Sequence, residues 1–395
     1  MLSQETIDII KSTVPVLEQH GKTITTVFYK NMFEAHPELL NVFNHANQSQ
    51  GRQQTALANA VYAAAANIDN LGAIIPAVVQ IAHKHKSLGI TPEQYPIVGY
   101  HLLGAIKEVL GDAATPEIIG AWGEAYQVIA DAFIGIEKEM YDKAEQMDGG
   151  WRTFKEFTIA DKVVESDVIT SFYLKPIDGQ PLPTYKPGQY ITIRVTIPGE
   201  TYTLNRQYSL SQATTDDTFR ISVKREDECN PNGKVSVFLH RGMNVGDTLE
   251  VSAPAGDFHL DTDSDAPVTF ISGGVGITPM MSMYEYIAKN TPERQVAFLH
   301  SARTRKHQAF NDKLTELNAS LPASKYAVLY SEEGDGFINR DFLASNVIEG
   351  SDIYVCGPMA FMQAVIKELY ALGIPEEKVH YEFFGPAVQL ELAHV

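Results

Sequence analysis

The sequence PAVVQIAHKHKSLGI, residues 76–90, decides how the first part of the chain folds. Pro76 suits the first turn of a helix, where its missing N–H group costs nothing. Val78, Ile81 and His85 then recur at helical spacing, which predicts an amphipathic helix with His85 on its inward face. A histidine on an apolar face is often a hydrogen-bonded core residue, and imidazole is also a common metal ligand. This stretch alone leaves both interpretations open.

The sequence around this helix is helical as well. Ile7, Ile10 and Leu17 follow the helical period, and the pattern resumes with Phe28 after a break that we expect at Gly21. No alternation typical of strands occurs before about residue 140. Residues 1–138 are therefore predicted to form an independent all-α domain.

Two polar residues lie on apolar helix faces in this part. Gln53 shares a face with Leu57, and Glu137 lies one turn beyond Phe133 on an inward face. A carboxylate that faces a core must be paired, bind something or be neutralised. Without further context, Gln53 is equally explained as a polar residue at a helix start and Glu137 as one at a fraying helix end.

Composition excludes several classes of partner. The 395 residues have a formal net charge of −18, so nucleic acid and anionic membrane surfaces would repel the chain. No apolar run is long enough to span a bilayer, and the acidic start MLSQETIDII is unlike a signal peptide. Cys229 and Cys356 are too few for a disulfide framework, which favours a reducing, cytoplasmic location.

The pattern changes after a turn signal at Asp148-Gly149-Gly150. Short β-branched and aromatic segments, separated by Pro and Gly, predict a small antiparallel barrel over residues 152–262, after a linker at 139–151. One of its strands contains RQYSL, residues 206–210, which offers an arginine for phosphate, a ring for stacking and a hydroxyl. Five residues also fit an ordinary strand with one exposed arginine.

Residues 263–395 show a third pattern, typical of an α/β domain. The strand VTFIS leads into the glycine-rich SGGVGITP and then into a helix, which is the arrangement of a nucleotide phosphate site. Pro279 departs from the dehydrogenase fingerprint. A later apolar strand ends in CGP, residues 356–358, where the cysteine is equally explained as an inert core thiol.

Taken together, the residues of the first domain resemble a bacterial globin. The resemblance rests on Tyr29, the PEL–VF segment ending at Phe43, Gln53 with Leu57, and His85 about thirty residues later. It implies a b-type haem with His85 as the iron ligand, and Phe43, Leu57 and Lys84 as pocket residues. It further implies that Tyr29 and Gln53 face bound oxygen. Tyr95 and Glu137 would flank His85, and that carboxylate favours redox chemistry over oxygen carriage.

The remaining motifs resemble the ferredoxin–NADP reductase family, in the same order. That resemblance implies FAD held by Tyr190, Arg206, Gln207, Tyr208, Ser209, Gly233, Val235 and Ser236. It implies NAD(P)H held by Gly273, Gly274, Val275, Gly276, Ile277, Thr278, Pro279, Cys356, Gly357 and Pro358. The closing segment, which would approach the flavin, comprises Glu382, Phe383, Phe384, Gly385 and Pro386.

The three sets together resemble the flavohaemoglobin family over essentially the whole chain. This implies a multidomain fold: an all-α globin, an antiparallel β-barrel FAD domain and an α/β NAD(P)-binding domain. The implied activity is nitric oxide dioxygenase, in which NAD(P)H reduces haem through FAD and NO and O2 become nitrate. The alternative is a flavin, ferric or quinone reductase with a gas-sensing globin. We expect a monomer with no obligatory protein partner. Arg303 and Arg305 could bind a 2′-phosphate, so the sequence argues slightly against strict use of NADH.

Overall fold

The computed structural model describes residues 2–44, 48, 50–215, 217–228 and 230–384. Within the described residues, the first domain contains six helices of nine residues or more. They are α1 (Gln4–Ser12), α2 (Val14–Ala35), α3 (Arg52–Ala66), α4 (Ile75–Leu88), α5 (Gln94–Leu110) and α6 (Pro116–Gln146). Three 3₁₀ turns cover Pro37–Asn41, Leu71–Ile74 and Gly111–Ala113.

Local sequence explains where these helices begin and end. The Ser3 hydroxyl accepts from the Thr6 N–H at the start of α1, and Gly89 ends α4 with a φ of 75°. The expected break at Gly21 is wrong, because α2 runs straight through this residue. A β-carbon on Gly21 would make an ordinary contact of 3.5 Å with that of Ala58, so neither the helix nor its packing on α3 is interrupted at this glycine.

The second domain is a closed antiparallel sheet. Its strands are β1 (Phe154–Val164), β2 (Ile169–Pro176), β3 (Tyr190–Val195), β4 (Leu204–Ser209), β5 (Phe219–Lys224) and β6 (Thr248–Ser252). The strand order is β4-β3-β6-β1-β2-β5, and a bridge between Leu210 and Ile221 joins the two edges. One helix, α7 (Lys234–Gly242), follows β5. The interior is aromatic, with the rings of Phe157 and Phe219 stacked 5.8 Å apart.

The third domain has a parallel sheet with helices between its strands. The strands are β7 (Val268–Gly273), β8 (Val296–Ala302), β9 (Ser324–Tyr330), β10 (Asp352–Cys356) and β11 (Val379–Glu382). The helices are α8 (Ile277–Asn290), α9 (Asn311–Ser320), α10 (Arg340–Asn346) and α11 (Met359–Ala371). The order β11-β10-β7-β8-β9 reverses direction between β7 and β10, and ligands of such sheets bind at that point.

The predicted fold classes of all three domains are confirmed. Because α6 continues to Gln146, the first part of the expected linker at 139–151 is helical; the domain boundaries themselves stay predictions. Among the described residues, no helix combines the length and apolar character that crossing a bilayer would require.

Candidate active site

His85 lies on α4 beside two groups from other helices. Its Nδ1 is 2.7 Å from Oε1 of Glu137 on α6 and 3.2 Å from the hydroxyl of Tyr95 on α5. The Tyr95 hydroxyl donates to the same carboxylate oxygen at 2.6 Å. Because a carboxylate only accepts, the proton on His85 sits at Nδ1 and leaves Nε2 with a free lone pair. The three predicted residues are thus brought together, with the Glu137 side chain only 4% exposed.

Two further tyrosines, which sequence reasoning missed, support this group. The Tyr126 hydroxyl donates to the Tyr95 carbonyl at 2.6 Å, and the Tyr141 hydroxyl donates to the Ile90 carbonyl at 2.8 Å. A β-carbon at Gly99 would lie 2.5 Å from the Tyr126 ring, so only glycine admits this ring. Burial, followed by the hydrogen bond to Glu137, raises the pKa of Tyr95, which therefore stays a donor.

Tyr29 on α2 forms the centre of a second group. Its ring lies 5.8 Å from the rings of both Phe33 and Phe43, which surround it with apolar surface. Burial raises the pKa of Tyr29, and a hydrogen bond with Gln53 partly opposes that effect. Leu57 and Phe43 are both partly buried and pack against the same core. The residues predicted on the oxygen side therefore lie together.

The donor set in this domain fits a haem. Oε1 of Gln53 is buried and has no hydrogen-bond partner among the described residues, so it is available to a bound group. No cluster of three or more His, Cys, Asp or Glu side chains in the described part of the chain could hold a metal. A single imidazole such as His85, with Nε2 free, is what a haem would need from the protein, because the porphyrin supplies the other donors.

Lys84 faces the reductase part of the chain. Burial lowers the pKa of its ammonium group, and the nearby carboxylates Glu382 and Asp257 raise it again. In turn, burial raises the pKa of Glu382, while the Lys84 cation lowers it. The helix that carries His85 thus brings a lysine against the predicted flavin-side carboxylate.

The flavin-side residues lie on two paired strands. Tyr190 on β3 pairs with Ser209 on β4, and Tyr208 lies one position earlier on β4. Burial raises the pKa of the Tyr190 hydroxyl, and a hydrogen bond with Ser87 partly opposes that effect. Gly256, at a φ of 112°, lets the chain cross the Tyr190 ring. Arg206 lies between these residues and the start of β4.

The predicted pyrophosphate segment forms the start of α7. Gly233 precedes the helix, and Ser236 donates to the Gly233 carbonyl at 3.1 Å while accepting from the Glu226 N–H at 3.2 Å. Val235 is buried behind them. The first N–H groups of a helix have no partner within it, so this end of α7 could bind an anionic group.

The glycine-rich loop and the CGP segment meet at the point where the sheet order reverses. Residues 273–279 form the end of β7, one 3₁₀ turn and the start of α8, as predicted. A β-carbon at Gly276 would lie 2.2 Å from the Cys356 carbonyl oxygen. The Cys356 thiol donates to the Glu382 carbonyl at 3.6 Å, and burial raises its pKa well above the ordinary value. This cradle fits a dinucleotide.

Only part of the closing segment lies within the described residues. Phe383 packs against the core of the third domain, whereas Phe384 is 47% exposed, and its expected place over the flavin stays a prediction. Gly385, Pro386 and Cys229 lie outside the described residues.

Three family matches agree with this division. Residues 26–133 match the globin family, 157–260 the oxidoreductase FAD-binding domain and 270–367 the oxidoreductase NAD-binding domain. A flavohemoprotein from Halalkalibacterium halodurans is 52% identical, with the alignment covering 98% of this chain and 97% of that protein. The chain belongs to the flavohemoprotein family. It is an oxidoreductase with haem, FAD and NAD(P)H as its cofactors.

Solved structures show the same arrangement. A flavohemoglobin from Malassezia yamatoensis, with bound FAD and haem, is 30% identical and superposes with a TM-score of 0.87, covering 97% of this chain and all of that one. The FAD/NAD-binding domain of a nitric oxide dioxygenase from Vibrio cholerae is 40% identical with a TM-score of 0.55 and covers 59% of this chain and 99% of that one.

The two arginines considered for a 2′-phosphate are already paired in this family member. Arg303 lies 3.1 Å from Glu228 and 3.9 Å from Glu332, and Arg305 lies 3.2 Å from Glu333. These carboxylates would compete with a 2′-phosphate, which argues against the expectation that the arginines lean away from strict NADH use; the coenzyme choice stays a prediction.

Contacts between the globin and FAD domains are the feature that sequence reasoning missed. The Lys86 ammonium donates to the Pro254 carbonyl at 2.7 Å, and the Gly256 N–H donates to Nδ1 of His83 at 3.2 Å. The sequence contained one signal of these contacts. The residues on both sides of His85 are polar, and none of them lies on the inward face of α4.

Proposed function

We propose that this chain is an NAD(P)H-dependent nitric oxide dioxygenase that converts NO and O2 to nitrate. The observation that carries the proposal is the buried Glu137 carboxylate 2.7 Å from Nδ1 of His85, in one chain with a complete reductase. Support also comes from the 40% identical reductase domain, which is described as part of a nitric oxide dioxygenase. A globin that only stored oxygen would need neither feature.

His85 is proposed as the haem iron ligand, with Glu137 and Tyr95 as the groups that tune it. By accepting from Nδ1–H, Glu137 makes the ring more basic at Nε2 and fixes its orientation. Tyr95 holds the carboxylate in place through its own hydrogen bond of 2.6 Å. A more basic imidazole favours reductive activation of oxygen over reversible storage.

Tyr29 and Gln53 are proposed as the donors that hold oxygen in the pocket. Because burial raises the pKa of Tyr29, its hydroxyl keeps its proton at physiological pH and can donate. Donors in an apolar pocket stabilise negative charge more strongly than they would in water. Phe43 and Leu57 keep water out.

In the reductase half, bound FAD would turn a hydride from NAD(P)H into two single electrons for the haem. Tyr190, Arg206, Tyr208, Ser209 and the start of α7 are proposed to hold FAD. The Gly273–Pro279 loop and the CGP segment are proposed to hold the coenzyme. The protonated Cys356 thiol is uncharged, and its hydrogen bond to the Glu382 carbonyl joins the CGP segment to the closing segment.

All three domains lie in one chain, which supports a monomer that needs no protein partner. The proposed substrates are the small molecules NO and O2. The use of only two cysteines in 395 residues supports a cytoplasmic location.

The test is the amount of nitrate formed per NADH oxidised when the aerobic protein receives NO. Two nitrates per NADH are expected, since 2 NO + 2 O2 + NADH gives 2 nitrate, NAD⁺ and H⁺. NADH oxidation without nitrate would contradict the proposal and favour the flavin or ferric reductase. His85→Ala separates the two activities, because it should abolish nitrate formation and leave flavin-dependent ferricyanide reduction intact.

A further inference from the structure

Strand β4 presents two faces with different neighbours. Successive side chains of a strand point to opposite sides, so Asn205 and Gln207 share one face while Arg206 and Tyr208 share the other. Tyr208 packs against the core of the barrel. Asn205 and Gln207 instead contact the globin domain. Ser209 and its cross-strand partner Tyr190 share the face of Asn205 and Gln207, so this face both contacts the globin domain and contributes to the proposed flavin site.

Asn205 forms the more buried of these two contacts. Its Nδ2 donates to the carbonyls of Asn41 at 3.0 Å and Val42 at 3.1 Å, and its Oδ1 accepts from Nε of Arg194 at 3.2 Å. The Thr203 N–H donates to Oδ1 of Asn41 at 2.9 Å. Asn205 is only 3% exposed, so all of its amide groups are used in a buried site. Such a fully satisfied buried amide fixes one relative position of its neighbours.

Gln207 forms the second contact. Its Nε2 donates to the Ser87 hydroxyl at 2.8 Å. Ser87 lies two residues after His85 on α4, and Val42 directly precedes Phe43. The two amides therefore anchor the two globin segments that carry the proposed iron ligand and the proposed porphyrin contact.

We propose that Asn205 and Gln207 are positioning residues that set electron transfer from flavin to haem by holding both globin segments on the flavin-binding strand. The inference rests on the cofactor assignments of the proposed function. In the step concerned, two-electron-reduced FAD returns to FAD and releases two protons, and two ferric haem equivalents become ferrous. Electron transfer forms no covalent bond, so Asn205 and Gln207 can affect its rate through the relative position of the two domains.

The experiment compares two reduction rates in the anaerobic holoenzyme by stopped-flow absorbance. In Asn205→Asp the carboxylate cannot donate to the two carbonyls, and in Gln207→Met the donor to Ser87 is lost. We expect haem reduction to slow by about tenfold or more, because displacements of about 1 Å can cost up to about 10²-fold between positioned reactants. In Asn205→Asp, flavin reduction by NADH should stay within about twofold. Asn290→Asp, the same substitution on the exposed end of α8, is the control.

Hydrogen exchange supplies a readout that does not depend on turnover. The Thr203 amide and residues 39–43 should exchange faster in Asn205→Asp, whereas protection inside the barrel is unchanged. Ser87→Ala combined with Gln207→Met should cost no more than either change alone, since both break one bond.

Unchanged haem reduction in both single variants would overturn the inference. An equal loss of flavin and haem reduction would also overturn it, since the residues would then serve FAD itself. If Asn205→Asp fails to fold, Ser87→Ala still decides the question, because it breaks the second contact from the globin side. Failure of the proposed function would be seen separately, as absent nitrate with normal haem reduction.

Discussion

The α-carbon of Gly276 lies so close to Cys356 that a β-carbon there would stand 2.2 Å from the Cys356 carbonyl oxygen. Since backbone cannot move aside cheaply, the glycine-rich loop and the CGP segment can meet only with glycine at this position. Gly276→Ala should therefore separate the two loops. We expect a fall of about 10²-fold in kcat/KM for NADH in flavin reduction.

The measurement is anaerobic flavin reduction at several NADH concentrations, with haem and FAD content measured in parallel. Gly120→Ala is a matched control, because its β-carbon meets nothing within 4 Å. Normal NADH kinetics in Gly276→Ala would show that the two loops need not touch.

Tyr29→Phe should weaken oxygen retention and leave haem reduction by NADH intact. The change removes one donor and keeps the ring that packs against Phe33 and Phe43. A hydrogen bond contributes about 1 kcal/mol net, so oxygen should dissociate roughly five- to tenfold faster. Stopped-flow oxygen displacement measures this rate, with the exposed Tyr100→Phe as the control. An unchanged dissociation rate would remove Tyr29 from the oxygen site.

Glu137→Gln should make the His85 ring less basic, because a neutral amide replaces the carboxylate at Nδ1. The iron–histidine bond should weaken, which lowers its stretching frequency in resonance Raman spectra, and nitrate formation should slow. Tyr95→Phe should act in the same direction to a smaller extent. Glu139→Gln, exposed on the same helix, is the control. A frequency equal to that of the unchanged protein would show that Glu137 has only a packing role.

Local sequence patterns correctly predicted the structural features that depend on residues close together in the chain. The helical period placed His85 on the inward face, and the strand–glycine–helix sequence placed Gly276 beneath the dinucleotide site. The break expected at Gly21 was wrong because one glycine costs a helix only about 1 kcal/mol, which the packing of the rest of α2 outweighs. The roles of Asn205 and Ser87 depend on how two independently folded domains meet. No periodicity within either domain encodes that contact.

The carboxylates beside Arg303 and Arg305 predict a preference for NADH. Glu228, Glu332 and Glu333 would repel a 2′-phosphate and already occupy both guanidinium groups. In Glu332→Gln with Glu333→Gln, kcat/KM for NADPH should rise by about tenfold, since each half-exposed charge contributes modestly. The NADH value should stay within about twofold. Glu349→Gln is the exposed control in the same domain, and equal use of both coenzymes before mutation would contradict the assignment.

His300 should make the third domain less stable in mild acid. It is 1% exposed on β8, its Nδ1 lies 2.8 Å from the Ser272 hydroxyl, and burial lowers its pKa from 6.5 to about 4. Above pH 6.5 the ring is neutral in both the folded and the unfolded chain, so it adds no pH dependence. Between pH 6.5 and about 4 only the unfolded chain takes up the proton, so stability falls as the pH falls. The full loss is about 3 kcal/mol.

Hydrogen exchange of the β7 and β8 amides between pH 7.5 and 5 measures this loss for the third domain alone. In His300→Gln, whose amide can still accept from Ser272, the decline below pH 6.5 should be shallower than in the unchanged chain. Parallel declines in both proteins would show that other groups cause the acid sensitivity of this domain.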